Sequence, residues 1–438
     1  LSIYYGEGKN LYLNNLIGYR MDTQWKIVVA IIALILIGII TATLYGINRK
    51  EDIAKETANI ISANDMITKY DAMAGRQIGV DASGLADDER CLINYQALAT
   101  RFTGFIGPYD NAVFNPAEAA SFALKAGCRT FILEIDYRDD DYDKEGNKRY
   151  FPRLMVRDVK GRNRVDPATD LVSQTVRTSN IKDACQAIVD KAFAAGQGNR
   201  EAPVILVLYV LRMPPSDHQL EYMANIARCM SPIIPRHLTS ITAGGVYTRH
   251  SQEAALMKVN DIAAYNGNIL VFCNADTSAF TRPTAAGKYK PAEDLDYLVH
   301  LRLGHDMATL GATAAADQTA GVAVLEAAGE FLNIPAANKG SKQEIQKEKW
   351  TISLADNPIV PVDVDTYNVL SGSYGVQCVP IVLWDKRSNY MFDGNRFKTA
   401  SFIPRPAGKR FKKPGIAEAG QANPRQNAAG GALRNPGI

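Results

Sequence analysis

Between Ile27 and Gly46 the chain runs for twenty residues without a charge, IVVAIIALILIGIITATLYG, with Thr41 and Thr43 as its only hydroxyl side chains besides Tyr45. As an α-helix this run spans about 30 Å, the thickness of a bilayer's hydrocarbon core. Trp25 and Tyr45 stand near its ends, where amphipathic rings settle at the interface. A buried core helix and a signal peptide are the alternatives. A signal's apolar region is shorter, and no small-residue cleavage site precedes the charged Arg49-Lys50-Glu51. The reading is one transmembrane helix over 27–47, in contact with lipid through Ile27–Gly46, after an N-terminal segment 1–26. Arg20 and Lys26 on one flank nearly balance Arg49, Lys50 and Lys55 on the other, so charge does not orient the span.

The chain as a whole is globular in composition, with 47% hydrophobic and 22% charged residues, which excludes a disordered chain. A net charge of +3 is too small to predict nucleic-acid binding, and none is expected. The cysteines at 91, 128, 185, 229, 273 and 378 show no metal-ligand or redox spacing and mostly sit in apolar runs. They read as small buried hydrophobes. With no Asn-x-Ser/Thr acceptor in the chain, they favour a large domain on a reducing, cytosolic or capsid-facing side.

Residues 48–89 read as a helical stalk. From 90 to 406 near-continuous apolar strands alternate with amphipathic helices. The strands are predicted at 91–99, 129–137, 202–210, 267–275 and 375–384, and the helices at 116–126, 181–195, 216–230 and 306–332. Strands apolar on both faces and separated by helices imply a parallel sheet covered on each side, and about 300 residues of it suit one α/β barrel. From Pro404 the chain turns rich in Pro, Gly, Asn and Ala, with Arg405, Lys409, Arg410, Lys412, Lys413, Arg425 and Arg434 against Glu418 alone. Such a segment buries too little apolar surface to fold alone. Residues 407–438 are expected to run extended, away from the barrel, and 405–438 to contact other protein chains.

No GxGxxG, Walker, HExxH, CxxC or GxSxG motif occurs. The acidic run Asp139-Asp140-Asp141-Tyr142-Asp143 fails as a calcium loop, with Lys144 where glycine is required and Tyr150 in place of the bidentate glutamate.

A longer pattern remains. It comprises AEAASFALKAGCRTFILEIDYRDD, EGNKRYFPRLMVRD, IKDACQAIVDKAF, APVILVLYV, HQLEYMANI, NGNILVFCN and DVDTYNVLSGSYGVQCVPIVLWDKRSNYMFDGNRFKTASFIPRP. In order and spacing it resembles the phosphoinositide-specific phospholipase C family. The resemblance implies a distorted (β/α)8 TIM barrel preceded by the one transmembrane helix, with any site at the C-terminal ends of the strands. It also implies two catalytic histidines and a calcium ion. The first histidine of this chain is His218; the family's histidine positions match Gln96 to Thr100 and Arg149 to Met155, which contain none. Glu134 and Asp136 match two metal carboxylates. Ala99 and Tyr209 stand where further ligands belong, and Phe272 and Asn274 where phosphate-holding lysines belong. Calcium takes six to eight oxygens, so no cofactor is expected beyond weak calcium at Glu134 and Asp136. Pairing of these carboxylates with Arg138 or Arg153 is the alternative.

These departures predict a non-enzyme. The expected function is a membrane-anchored structural or assembly protein on an inactive barrel, linking a membrane to a protein shell, as a minor capsid protein of a virion does. The alternative is a phosphoric diester hydrolase or a phosphoinositide-headgroup binding protein. His218, His237, His250, His300 and His305 are dispersed and build no site in the sequence.

Overall fold

The computed structural model describes Trp25, the helix at 27–47, positions 65 and 68, and most of 79–413. Within that last span, residues 107–112, 158–162, 165–179, 195–200, 238–254, 278–291, 306–322, 356–361 and 384–396 and a few single positions lie outside the description, as does everything after 413. Most of the predicted stalk therefore lies outside it. The chain divides into two compact units, Leu1–Ile61 and Ser62–Ile438.

The first unit holds α1, Ile27–Ile47, a helix of 21 residues with mean hydropathy 3.0 and no part of it buried. It is long and apolar enough to cross a membrane. Its two threonines do not break that character, because Thr41 Oγ1 donates to Ile37 O and Thr43 Oγ1 to Ile39 O, each at 2.8 Å. Each hydroxyl is thus satisfied within the helix.

The second unit is a parallel α/β barrel. The strands of its barrel and base are β1 (Gly79–Val80), β2 (Tyr95–Ala97), β3 (Ala99–Phe102), β4 (Thr130–Asp136), β5 (Arg153–Leu154), β6 (Val204–Val210), β7 (Ile269–Cys273), β8 (Leu301–His305), β9 (Ala323–Ala327), β10 (Trp350–Leu354) and β11 (Ala400–Pro404), and two small two-stranded hairpins lie apart from them. The order β3-β4-β6-β7-β8-β9-β10 is parallel throughout. The ring closes through residues 377–381: Cys378 N donates to Thr351 O (3.0 Å), Ser353 N to Cys378 O (2.9 Å), Ile381 N to Ala99 O (2.9 Å) and Arg101 N to Ile381 O (3.0 Å). Pro380 has no N–H to give, so this eighth stave pairs only by isolated bridges.

Alternation along each strand sorts the side chains. Ile132, Ile205, Val207, Leu270, Phe272, Leu303, Trp350 and Ile352 fill the interior. Phe131, Leu133, Leu206, Leu208 and Val271 face outward against α2 (Pro116–Lys125), α3 (Asn180–Ala192) and α4 (Ser216–Met230). The Asn115 side chain caps α2, accepting from Glu118 N at 3.1 Å, with Pro116 at the first helical position.

The base of the barrel, at the N-terminal strand ends, is sealed by the chain itself. β11 pairs parallel with β1 and antiparallel with β2, and Leu92, Tyr95, Ile262, Tyr265, Phe402 and Phe411 continue the interior core downward. Arg405, fully buried, donates to Gln346 O (2.9 Å), Ile93 O (3.3 Å) and Lys347 O (3.4 Å). Asn94 and Phe411 exchange two hydrogen bonds of 2.9 and 2.7 Å, and Arg410 pairs with Glu89 at 3.1 Å. Two sequence expectations change here. The segment expected to run away from the barrel from residue 407 instead continues along its base to 413, held there through Arg405, Arg410 and Phe411 by buried carbonyls, Glu89 and Asn94. The helix expected over 306–332 is not one helix: 306–322 lies outside the description, Ala323–Ala327 is strand β9, and only Gly329–Leu332 is helical.

Candidate functional site at the barrel mouth

The opposite end is ringed by charge. On β4, Thr130 and Ile132 point inward, so the period of two carries Glu134 and Asp136 to the upper rim on the same face. On β3 the same alternation brings Arg101 up beside them. Arg101 Nε donates to Glu134 Oε1 in a pair whose side chains are 10% and 2% exposed. Arg101 Nη1 also donates to Ala355 O at 3.1 Å. Glu134 Oε2, buried, has no hydrogen-bond partner among the described residues.

Asp136, fully buried, takes Arg212 Nε on Oδ1 at 2.6 Å and the N–H of Tyr137 at 2.7 Å. Arg212 also reaches Asp139 (2.9 Å) and Tyr137 O (2.7 Å), with its guanidinium 4.0 Å from the centre of the Tyr137 ring. Burial opposes its charge, but the hydrogen bonds it donates to Asp139 and Asp136 outweigh that and hold the guanidinium above its ordinary range. The hydrogen bond from Arg212 holds Asp139 below the usual carboxylate range. Asp141, on the loop after β4, is gripped by Arg149 (2.5 Å) and Arg153 (3.4 Å), while on the outer face of the sheet Arg302 meets Asp276 at 2.9 Å and Lys342 meets Glu326 at 2.6 Å. The mouth therefore offers donors and acceptors together, with its charges matched in pairs.

The structure relocates several expected positions. The stretch Gln96 to Thr100 lies below the rim: Gln96 Nε2 donates to Ser371 O and Val376 O in the base region, and Ala99 lies buried low on β3. The rim of this stave is Arg101. Phe272 is interior core, edge-on to Trp350 with ring centres 5.1 Å apart. Asn274 joins the ends of β6 and β7, accepting from Val210 N (2.7 Å) and donating to Val210 O (3.0 Å). Tyr209 is adjacent to Glu134 in register. Glu134 pairs with Arg101 and Asp136 with Arg212, while Arg153 meets Asp141 at 3.4 Å.

His237 and His300 lie below, at the start of β7 and β8, with ring centres 4.2 Å apart. His218 is half-exposed and tilts over Tyr150, with ring centres 4.6 Å apart. His250 lies outside the described residues. Among the described residues no group of three His, Cys, Asp or Glu is disposed to hold a metal. All six cysteines are buried thiols, and burial pushes Cys273 up to about 12.

No family model matches the sequence, and no curated protein does. Solved structures do. L. pealei PLC21 aligns with a TM-score of 0.45 and 14% identity over 75% of this chain. A calcium-dependent phosphoinositol-specific phospholipase C from Pseudomonas sp aligns at 0.41 and 10% over 74% of this chain and 100% of its own. A Ca+2 dependent phosphatidylinositol-specific phospholipase C from Streptomyces antibioticus aligns at 0.33 and 10% over 60% of this chain and 82% of its own. The chain spans 39% of the length of L. pealei PLC21. The expectation of a non-enzyme is corrected at this point, because the structures it matches are phospholipase C enzymes.

Proposed function

We propose that this chain is a membrane-anchored barrel whose mouth engages a phosphate-bearing polyol such as a phosphoinositide headgroup. The Arg101–Glu134 pair carries the reading. A guanidinium edge suits a phosphate, and the buried Glu134 Oε2 suits a hydroxyl donor. Helix α1 supports the setting, since its apolar surface suits contact with lipid. The test uses the full chain in phosphatidylcholine nanodiscs, titrated with glycerophosphoinositol and with phosphatidylinositol added to the bilayer. Saturable binding weakened by Glu134→Gln supports headgroup recognition. Release of a soluble inositol phosphate, lost in the same variant, extends the reading to a phosphoric diester hydrolase. Absence of binding up to about millimolar ligand, roughly 4 kcal/mol of affinity, sinks it.

A second reading, a structural link between a bilayer and a protein assembly, is favoured by the predominantly apolar exterior of α1 together with Arg425 and Arg434 in the C-terminal segment. It requires that a chain ending at residue 413 fail to enter the assembly; normal incorporation refutes it.

A further inference from the structure

The sequence resemblance places a calcium ion at Glu134 and Asp136, and the donor set at the mouth does not fit one. Calcium takes six to eight oxygens in open, flexible geometry. Here each carboxylate is already held by a guanidinium. Arg101 Nε lies on Glu134 Oε1, and Arg212 Nε lies 2.6 Å from Asp136 Oδ1. Both arginines are braced from behind. Arg101 Nη1 is fixed on Ala355 O at 3.1 Å, and Arg212 on Asp139 at 2.9 Å and Tyr137 O at 2.7 Å. The acids along the neighbouring loop are committed too, Asp141 to Arg149 and Arg153, and Asp143 to the N–H groups of Glu145 (3.0 Å) and Asn147 (2.7 Å). A divalent ion entering this rim would have to push two guanidinium groups off buried carboxylates and leave them facing its own charge.

We infer that Arg101 and Arg212 are the fixed cations of this mouth, so that it takes its anionic ligand without a divalent metal and refuses calcium. The inference rests on the reading of the mouth as a site for a phosphate-bearing polyol. The guanidinium that neutralises Glu134 presents its remaining N–H edge to phosphate, while Glu134 Oε2 accepts from a hydroxyl of the same ligand. Arginine suits this role because its charge persists at any working pH and its planar fork matches two oxygens at once. The arrangement is also specific to paired residues. Removing both arginines should expose two carboxylates two residues apart on one strand face, and so create the cation site that the native chain lacks.

The experiment uses the full chain in nanodiscs, with calcium calorimetry and terbium luminescence as one arm and glycerophosphoinositol titration with and without EDTA as the other. In the wild type, neither cation is expected to bind tighter than about millimolar, and EDTA should leave the ligand's affinity unchanged. Arg101→Gln should weaken the ligand by about tenfold or more, the loss of one charge-assisted hydrogen bond, with no rescue by calcium. Arg101→Gln/Arg212→Gln should gain terbium luminescence, and adding Glu134→Gln should remove it. Micromolar calcium binding by the wild type that disappears in Asp136→Asn overturns the inference, as does a tenfold loss of ligand affinity in EDTA restored by calcium. If the double variant does not fold, the wild-type arms still decide. If glycerophosphoinositol binds under no condition, the proposed function falls, and the calcium titration judges the metal inference alone.

Discussion

Acid should loosen this barrel from below, through two histidines that have nothing to do with its mouth. His237 ends the turn after α4, and its Nε2 donates to Leu298 O at 2.7 Å. His300 exchanges a pair of bonds with one residue of β7: its backbone N–H donates to Val271 O (2.8 Å), and its ring Nδ1 accepts from Val271 N–H (2.9 Å). A ring nitrogen that accepts from an amide cannot also carry a proton, so the fold requires His300 neutral. Both rings are buried and in contact. Burial pushes His237 down to about 4, against a weaker opposing pull from Leu298 O; burial and then the neighbouring His237 push His300 well below its usual value. The unfolded chain therefore takes up protons first as pH falls below about 6.5. The stability is present above that value and is lost as pH falls towards the folded values.

For His237 alone the loss is about 2 kcal/mol at pH 5 and approaches about 3 kcal/mol below pH 4, with His300 adding in the same direction. Against a total of about 5–15 kcal/mol for a domain, that shift is easily read as a lower urea midpoint between pH 8 and pH 5. The assay is near-ultraviolet circular dichroism of the full chain in detergent. His237→Phe should lower stability at pH 8, since it strands Leu298 O, but flatten the decline with acid. Parallel pH profiles for the wild type and His237→Phe, or an NMR titration of His237 near its ordinary value, would refute the argument.

Three further outcomes follow from particular contacts. Gly375 has φ +69°, and a Cβ there would stand 2.7 Å from Lys409 Cβ and 2.9 Å from Arg405 Nη2; Gly375→Ala should cost about 2–4 kcal/mol in chemical denaturation, from backbone strain and overpacking together. Glu134→Leu alone leaves Arg101 buried without its counter-charge and should cost about 3–5 kcal/mol, whereas Arg101→Met/Glu134→Leu should recover most of that in the same measurement. A chain ending at residue 413 should melt like the full chain. One ending at residue 404 should lose about 3 kcal/mol or more with Phe411 and Arg405 gone from the base, and equal melting curves would remove Arg405 to Lys413 from the fold.

What the sequence reveals depends on how the chain buries each piece. Thr130–Asp136, Val204–Val210 and Ile269–Cys273 are legible as strands because helices or core cover both faces, leaving unbroken apolar runs. Leu301–His305 and Trp350–Leu354 escape that test. Arg302 faces outward to Asp276, and Thr351 and Ser353 alternate with the interior residues Trp350, Ile352 and Leu354. The alanine-rich stretch before Ala323–Ala327 satisfies a helical pattern equally well, and only pairing with β8 and β10 makes a strand of its end. At the mouth, Glu134 and Asp136 are visible as a strand-end pair, but their partners are not. Arg101 lies 33 residues from Glu134 and Arg212 lies 76 from Asp136, separations that local patterning does not span. An arginine inside LATRFTG and another directly after VILVLYVL were the available signals. Residues 405–413 read as tail because composition weighs a segment by itself, whereas Phe411 and Arg405 are held by surfaces other parts of the chain provide.

The pairing of β1 with β11 has a mechanical side. These strands, the entry to and exit from the barrel, lie next to each other and run parallel, Gly79 against Ala400 and Val80 against Phe402. A pull on the chain before Gly79 and another on the chain after Pro404 act in opposite senses along this pair, loading its hydrogen bonds in shear, where they must yield together. Behind them, Arg410 on Glu89 and Phe411 on Asn94 tie the outgoing segment to the incoming one a second time. Tension carried along the polypeptide from one side of the domain to the other is thus borne at the base, and the staves that hold Arg101, Glu134 and Asp136 in place stay out of the line of force.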